Sequence, residues 1–121
     1  MLNRLEEIAH FAEDVDSTVH FFQRLLGTEP ATWTRGQTAS FQLGDVKLFL
    51  HQKVKTYEPG WPLQDEDHLS FAVESVDQAC EEIQRLGLRP EVGPKDFYWG
   101  RSAYFRDPDG RLVELHQTAK A

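Results

Sequence analysis

One cysteine, Cys80, stands in the whole sequence, so no intrachain disulfide can form and a reducing compartment is expected. It lies in a helical pattern from Val76 to Leu86 beside Ala79 and Ile83, where a small buried filler is expected rather than a catalytic thiol. Long apolar runs are missing too. Leu48-Phe49-Leu50 is about as long as they get, far short of a membrane span. The opening Met1-Leu2-Asn3-Arg4-Leu5-Glu6-Glu7 has no apolar signal core behind its single basic residue, so secretion is not expected and a cytoplasmic location is. Positive charge is scarce: 13 Lys and Arg against 20 Asp and Glu give a formal net charge of −7. With no basic stripe to offset it, nucleic acid is not expected as a partner.

What is present fits one globular domain. The 121 residues are too few for two ordinary domains, and 40% hydrophobic with 27% charged composition lies in the folded range. The chain also repeats itself. A shift of 61 lays Glu7-Ile8-Ala9-His10-Phe11-Ala12-Glu13 on His68-Leu69-Ser70-Phe71-Ala72-Val73-Glu74, Val15-Asp16 on Val76-Asp77, and Gln23-Arg24-Leu25 on Gln84-Arg85-Leu86. Further on, Gly44 to Gln52 resembles Gly110 to Gln117, and both stretches end Leu-His-Gln. Such internal similarity marks two structural modules.

Each module reads as βαβββ. Leu69, Phe71 and Val73 alternate with more polar neighbours, the period of a strand with one apolar face. Ser75 with Gln78 signals a capped helix that stops at Gly87. Asp14 can cap a first-half helix carrying Val15, Val19, Phe22, Leu25 and Leu26 on one face, with Gly27 as its stop. Trp33, Phe41 and Leu43, then Val46, Leu48 and Leu50, suggest two more strands around the Gly44-Asp45 turn. Arg101 to Arg106 and Leu112 to Gln117 flank a hairpin turn at Asp107-Pro108-Asp109-Gly110. A short strand near Arg89 to Val92 is confined to an edge by Pro90. Module one spans about residues 1–53, a linker 54–66, and module two about 67–121; neither half is large enough to bury a core alone.

If a helix covers one face of each half-sheet, the other face is set by parity. In the second half it carries His68, Ser70 and Ala72, then Leu112, Glu114 and His116. By the repeat, the first half presents Glu7, Ala9 and Phe11, then Phe49 and His51. Carboxylates held there need solvent or a cation, because an unpaired buried carboxylate loses several kcal/mol of solvation. A divalent metal bound by carboxylate and imidazole satisfies that need. His10 falls on the helix side and is expected to pack in the core, although a one-residue slip would reverse that. His20 is expected at the surface of its helix.

At this point the sequence resembles the vicinal oxygen chelate superfamily, which includes glyoxalase I, fosfomycin-resistance transferases, extradiol dioxygenases and bleomycin-resistance proteins. The resemblance rests on Glu7 to Gly27 with its Asp14-Val15-Asp16 and Leu25-Leu26-Gly27, on His68-Leu69-Ser70-Phe71-Ala72-Val73, and on Asp107-Pro108-Asp109-Gly110-Arg111-Leu112-Val113-Glu114. It implies an α+β glyoxalase-like fold, two βαβββ modules forming a curved mixed sheet around a central cavity. It further implies metal ligands at Glu7, His68 and Glu114, with Phe49 at the fourth family position, where no ligand is possible. Glu7 and Glu114 are the catalytic candidates, Glu7 as third ligand or general base. The metal would be Mn, Fe(II), Co, Ni or Zn. Phe49, His51, Trp99, Arg101, Tyr104 and His116 are candidates for the substrate pocket, Arg101 having a surface salt bridge as its other reading.

The loop aromatics Tyr57, Trp61, Phe97, Tyr98 and Trp99 imply either a pocket wall or a dimer interface. Gly93-Pro94 and Gly100 bracket Lys95 to Trp99 as a hinged lid. Two leading functions follow, beside a third reading in which the cavity is vestigial and the module serves protein association. One is a metal-dependent lyase, dioxygenase or transferase acting on a small oxygen-chelating molecule, in a protein that pairs as a homodimer. The other is a metal-free protein that sequesters a small ligand, favoured by Phe49 and the loop aromatics.

Overall fold

A computed structural model describes residues 2–54 and 65–118; Tyr57 and Trp61, with most of the expected linker, lie outside them. The elements are β1 (Leu5–Ala12), α1 (Val15–Leu26), β2 (Thr32–Thr34), β3 (Thr38–Leu43), β4 (Val46–Gln52), β5 (His68–Ala72), α2 (Val76–Gln84), β6 (Val92–Phe97), β7 (Gly100–Arg106) and β8 (Leu112–Thr118). The order is βαβββ twice, as the repeat requires. No helix among the described residues is long and apolar enough to cross a membrane.

The chain divides into two compact units, Glu7–Asp67 and Met1–Glu6 with His68–Ala121. In the first, the strands run β2-β3-β4-β1, with β1 parallel to β4 and the other pairs antiparallel. α1 covers one face. Val15, Val19, Ala39, Phe41, Leu48 and Leu50 form its core, with Phe22, Leu26 and Trp33 packed against them. Leu25, expected on the buried face, is 64% exposed, because it sits beyond the stripe that Val15, Val19 and Phe22 mark out. Asp14 caps the helix by accepting from the Ser17 N–H, and Gly27 ends it at φ 66°. His10, expected in the core, instead has a side chain 43% exposed: it meets Phe22 edge-on with ring centroids 6.4 Å apart and reaches Asp67 at 3.3 Å.

The second unit repeats the plan with β5-β8-β7-β6, β5 parallel to β8 and the rest antiparallel. Val76, Cys80, Ala103 and Leu115 are its core, with Phe71, Val73, Ile83 and Phe105 against them. Cys80 is buried filler. Leu69, expected beneath the helix, is 42% exposed, since it lies at the far end of β5 from the capped start of α2. Ser75 caps α2 by accepting from the Gln78 N–H.

The repeated Leu-His-Gln has a structural cause. The Gln52 side-chain oxygen accepts from the Val15 N–H at 2.8 Å, and Gln117 does the same for Val76 at 2.9 Å. Each closing strand thus satisfies one orphan donor at the start of its module's helix.

One expectation is corrected. The strand placed near Arg89 to Val92 lies instead at Val92–Phe97, so Lys95 to Trp99 is mostly β6 and its tight turn into β7, not a hinged lid. Pro94 is tolerated there because β6 pairs with β7 on one side through a register shift between Val92 and Lys95.

Candidate functional site

In the second unit, β8 lies between β5 and β7, and its register decides what meets. Glu114 is opposite Ser70 of β5 and Tyr104 of β7. His116 is opposite Ala72 and Ser102. Directly opposed residues share a face, so Ser70, Ser102, Tyr104, Glu114 and His116 all lie on the side away from α2, with His68 two positions along β5 from Ser70.

Glu114 is the centre of that face. Its side chain is 6% exposed and fully engaged. Oε2 accepts from the Ser102 hydroxyl at 2.7 Å and from the Tyr104 hydroxyl at 3.0 Å. Oε1 lies 3.3 Å from His68 Nε2. Burial pushes the carboxyl up, but the hydrogen bonds from His68 and Ser102, the His68 charge and the Tyr104 bond outweigh it. Glu114 is therefore held below its ordinary value and stays ionised.

His116, two residues along, is held at both ring nitrogens: Nδ1 is 3.1 Å from Glu6 Oε2 and Nε2 is 3.3 Å from the Trp99 carbonyl oxygen. Both partners are acceptors, an arrangement that favours the imidazolium. Burial opposes that charge, and the bonds to Glu6 and the Trp99 carbonyl with the nearby carboxylates overcome it, raising His116 above its ordinary value.

In the first unit the matching face carries Glu7, Ala9 and Phe11 of β1 beside Lys47, Phe49 and His51 of β4. Glu7 has a cation of its own, Lys47 Nζ at 3.2 Å. That ammonium also lies 5.9 Å from the Phe49 ring centre. His51 lies tilted against Phe11 and Phe49, with ring centroids 5.1 and 5.9 Å away. Its Nδ1 is 2.6 Å from the Gln52 carbonyl oxygen.

The structure thus brings His68, Glu114, Tyr104 and His116 to one face, with Trp99 at its rim donating its indole N–H to Ser102 at 3.2 Å. It places Arg101 elsewhere. One residue out of phase with Ser102, Arg101 turns to the helix side and pairs with Asp77 at 2.8 Å and Asp96 at 3.0 Å, the surface salt bridge rather than a pocket group. Three contributors were not anticipated: Ser102, Glu6 and Lys47. Ser102 was readable, because a hairpin closed at Asp107 to Gly110 sets it opposite His116. Lys47 was readable by parity with Phe49.

No group of three or more His, Cys, Asp or Glu side chains is gathered to hold a metal among the described residues. The His68–Glu114 pair by itself has the right donors. Two ligands about 2.1 Å from one metal, at octahedral to tetrahedral angles, sit about 3.0–3.4 Å apart, and these two atoms are 3.3 Å apart. The second carboxylate oxygen is fixed by hydroxyls, as ligating carboxylates usually are. These residues fit a divalent ion as part of its ligand set.

Comparison with known proteins bears on the family and the fold. Residues 4–115 match the model of the Glyoxalase/Bleomycin resistance protein/Dioxygenase superfamily. The chain is 32% identical to the fosfomycin resistance protein FosX of Listeria monocytogenes, over 96% of this chain and 90% of that protein. It is 27% identical to virulence protein STM3117 of Salmonella typhimurium, over 97% and 85%. A methylmalonyl-CoA epimerase of Streptomyces coelicolor superposes with a TM-score of 0.70 at 23% identity, covering 99% of this chain and 100% of that one, which shows a shared α+β fold.

Proposed function

Because this chain belongs to the glyoxalase/bleomycin resistance/dioxygenase superfamily, we propose that it is a divalent-metal-dependent enzyme acting on a small oxygen-chelating organic molecule, with His68 and Glu114 as metal ligands. The observation that carries this is the 3.3 Å approach of His68 Nε2 to Glu114 Oε1, while Oε2 is held back by Ser102 and Tyr104. Glu7 is proposed as third ligand or general base from its place in the repeat. The bound ion would supply Lewis-acid polarisation of substrate oxygens.

The chain's own residues do the rest. Ser102 and Tyr104 hold the Glu114 carboxylate in rotation through their hydrogen bonds to Oε2, so little reorganisation is needed when a cation is met. His116, drawn toward its charged form by Glu6 and the Trp99 carbonyl, lies on the same face. Among the relatives, the name of FosX, a fosfomycin resistance protein, supports a small-molecule substrate. The buried free thiol of Cys80 suits a cytoplasmic setting.

A second reading is a metal-free binding protein. It is favoured by Lys47, which already neutralises Glu7 at 3.2 Å, and by Phe49 beside it. Metal analysis of protein purified without added metal, beside His68→Ala and Glu114→Ala, separates the two. Stoichiometric metal in the parent, lost in both variants, is expected. A parent that takes up none, even after soaking in Mn, Fe(II), Co, Ni or Zn, overturns the enzyme and leaves the binding protein.

A further inference from the structure

The turn between β6 and β7 is fastened to the face that carries Glu114 at two points. Its backbone is held where the Trp99 carbonyl accepts from His116 Nε2 at 3.3 Å. Its side chain is held where the Trp99 indole N–H donates to Ser102 Oγ at 3.2 Å. Phe97 stacks on the indole with centroids 4.5 Å apart and planes 6° apart, and Tyr98 meets it edge-on at 4.7 Å. Tyr98 itself is 91% exposed.

A serine hydroxyl has one proton to give and two lone pairs to receive with. The indole can only donate, so Ser102 meets it through a lone pair. The Ser102 proton is then directed along its other contact, the 2.7 Å bond to Glu114 Oε2. Ser102 is fully buried, so bulk water does not compete for that proton. The direction of every donor is set: indole N–H to Ser102 Oγ, Ser102 O–H to Glu114 Oε2, leaving Oε1 as the oxygen that faces His68.

We infer that Trp99 is a positioning residue, which aims the Ser102 proton at one Glu114 oxygen and so holds the carboxylate with its other oxygen toward His68. Its effect on metal binding rests on the function proposed above; the hydrogen-bond relay itself does not. The relay links a solvent-facing aromatic turn to the one buried carboxylate of the face, by two bonds and no charge transfer.

The test uses the whole protein and Trp99→Phe, which keeps a ring for Phe97 to stack on and removes the N–H together with part of the indole, and Ser102→Ala, which leaves the indole intact. Ser102→Ala cuts the same relay one bond further in and serves if the first variant folds poorly. The first readout needs no metal. The sequence has 3 tryptophans, so the indole 15N–1H spectrum is simple, and the Trp99 signal is the one lost in Trp99→Phe. It should move in Ser102→Ala and, more weakly, in Glu114→Gln. The Glu114 carboxylate 13C and His68 ring 15N signals should move alike in Trp99→Phe and Ser102→Ala. Unchanged Glu114 and His68 signals in Trp99→Phe overturn the inference, since a residue that merely packs would behave so.

The second readout is Co(II) affinity, expected to fall on the order of 10-fold in Trp99→Phe, the lower end for loss of a group supporting a ligand. Equal affinity in parent and variant also counts against the inference. A parent that binds no Co(II) overturns the metal reading alone, and the spectra still decide the relay.

Discussion

Lys47 sets its ammonium 3.2 Å from a Glu7 carboxylate oxygen, two residues before the position where the second module has Glu114. A cation built into the chain therefore sits where the first module would otherwise need one from solution. The pair is partly exposed, so Lys47→Met should cost no more than about 1 kcal/mol of stability, read from the urea midpoint. If Glu7 is the third ligand, removing this competitor should tighten divalent-metal affinity several-fold by calorimetry. Unchanged affinity would take Glu7 out of the ligand set.

Glu114 is the acceptor for Ser102 and Tyr104 and faces His68. Glu114→Ala leaves two buried hydroxyls without it, and a loss of about 2–4 kcal/mol is expected. Tyr104→Phe removes one bond and should cost about 1 kcal/mol. Urea unfolding at neutral pH, with the slope unchanged, checks both. A Glu114→Ala protein as stable as the parent would show that the cluster is not holding the face together.

Two opposite pH limits follow from this face. Burial raises Glu114, yet its hydrogen bonds and the His68 charge bring it below its ordinary 4.5. Its contribution to stability is present above 4.5 and is lost as pH falls through its depressed folded value. Burial lowers His116, yet Glu6, the Trp99 carbonyl and the nearby carboxylates take it above its ordinary 6.5. Its contribution is complete below 6.5 and is lost as pH rises through its elevated folded value. Stability measured from pH 3 to 9 should show both limbs, Glu114→Gln flattening the acid one and His116→Gln the alkaline one. A His116→Gln profile identical to the parent's above pH 7 would refute the imidazolium.

Gly93 has φ 83°, and a Cβ there would lie 2.5 Å from the Ser102 carbonyl oxygen and 3.2 Å from the Ala103 Cα. Both neighbours are backbone and cannot swing away. Gly93→Ala is expected to cost about 2–4 kcal/mol and to push β6 away from β7, disturbing Ser102. Thermal unfolding gives the cost, and the Trp99 indole signal reports the disturbance. Gly44→Ala has positive φ but open space and should cost about 1 kcal/mol, which isolates the steric part.

The modules were legible because a duplicated chain states its own pattern twice. Asp14 and Ser75 as caps, Gly27 as a stop and the Gly44-Asp45 turn all follow from local chemistry, and the structure has them. The face bearing His68 and Glu114 was legible because strand parity is a strict period of two. β6 was misplaced because Pro94 hides an edge strand whose pairing is broken by a register shift, a tertiary matter that composition does not show. Arg101 was offered to the pocket by its nearness in sequence to Trp99, when a single step along β7 turns it to Asp77 on the helix. Leu25 and Leu69 read as inside because they are apolar, but Leu25 lies beyond the buried stripe of α1 and Leu69 at the end of β5 far from the start of α2. The partners of Glu7 and His116 needed knowledge of which strand lies beside which.

The repeat opens at Glu7 and at His68 and so do the compact units, yet the six residues Met1–Glu6 that precede the first copy belong with the second unit. Glu6 neutralises His116, the Arg4 carbonyl accepts from the Ala72 N–H at 3.0 Å, and both belong to the unit that begins again at His68. Glu7–Asp67 is one uninterrupted stretch, whereas its sibling is stitched from both chain ends. A fragment containing only the later half would therefore lack the carboxylate that keeps His116 charged, while the earlier half carries everything its own unit contains.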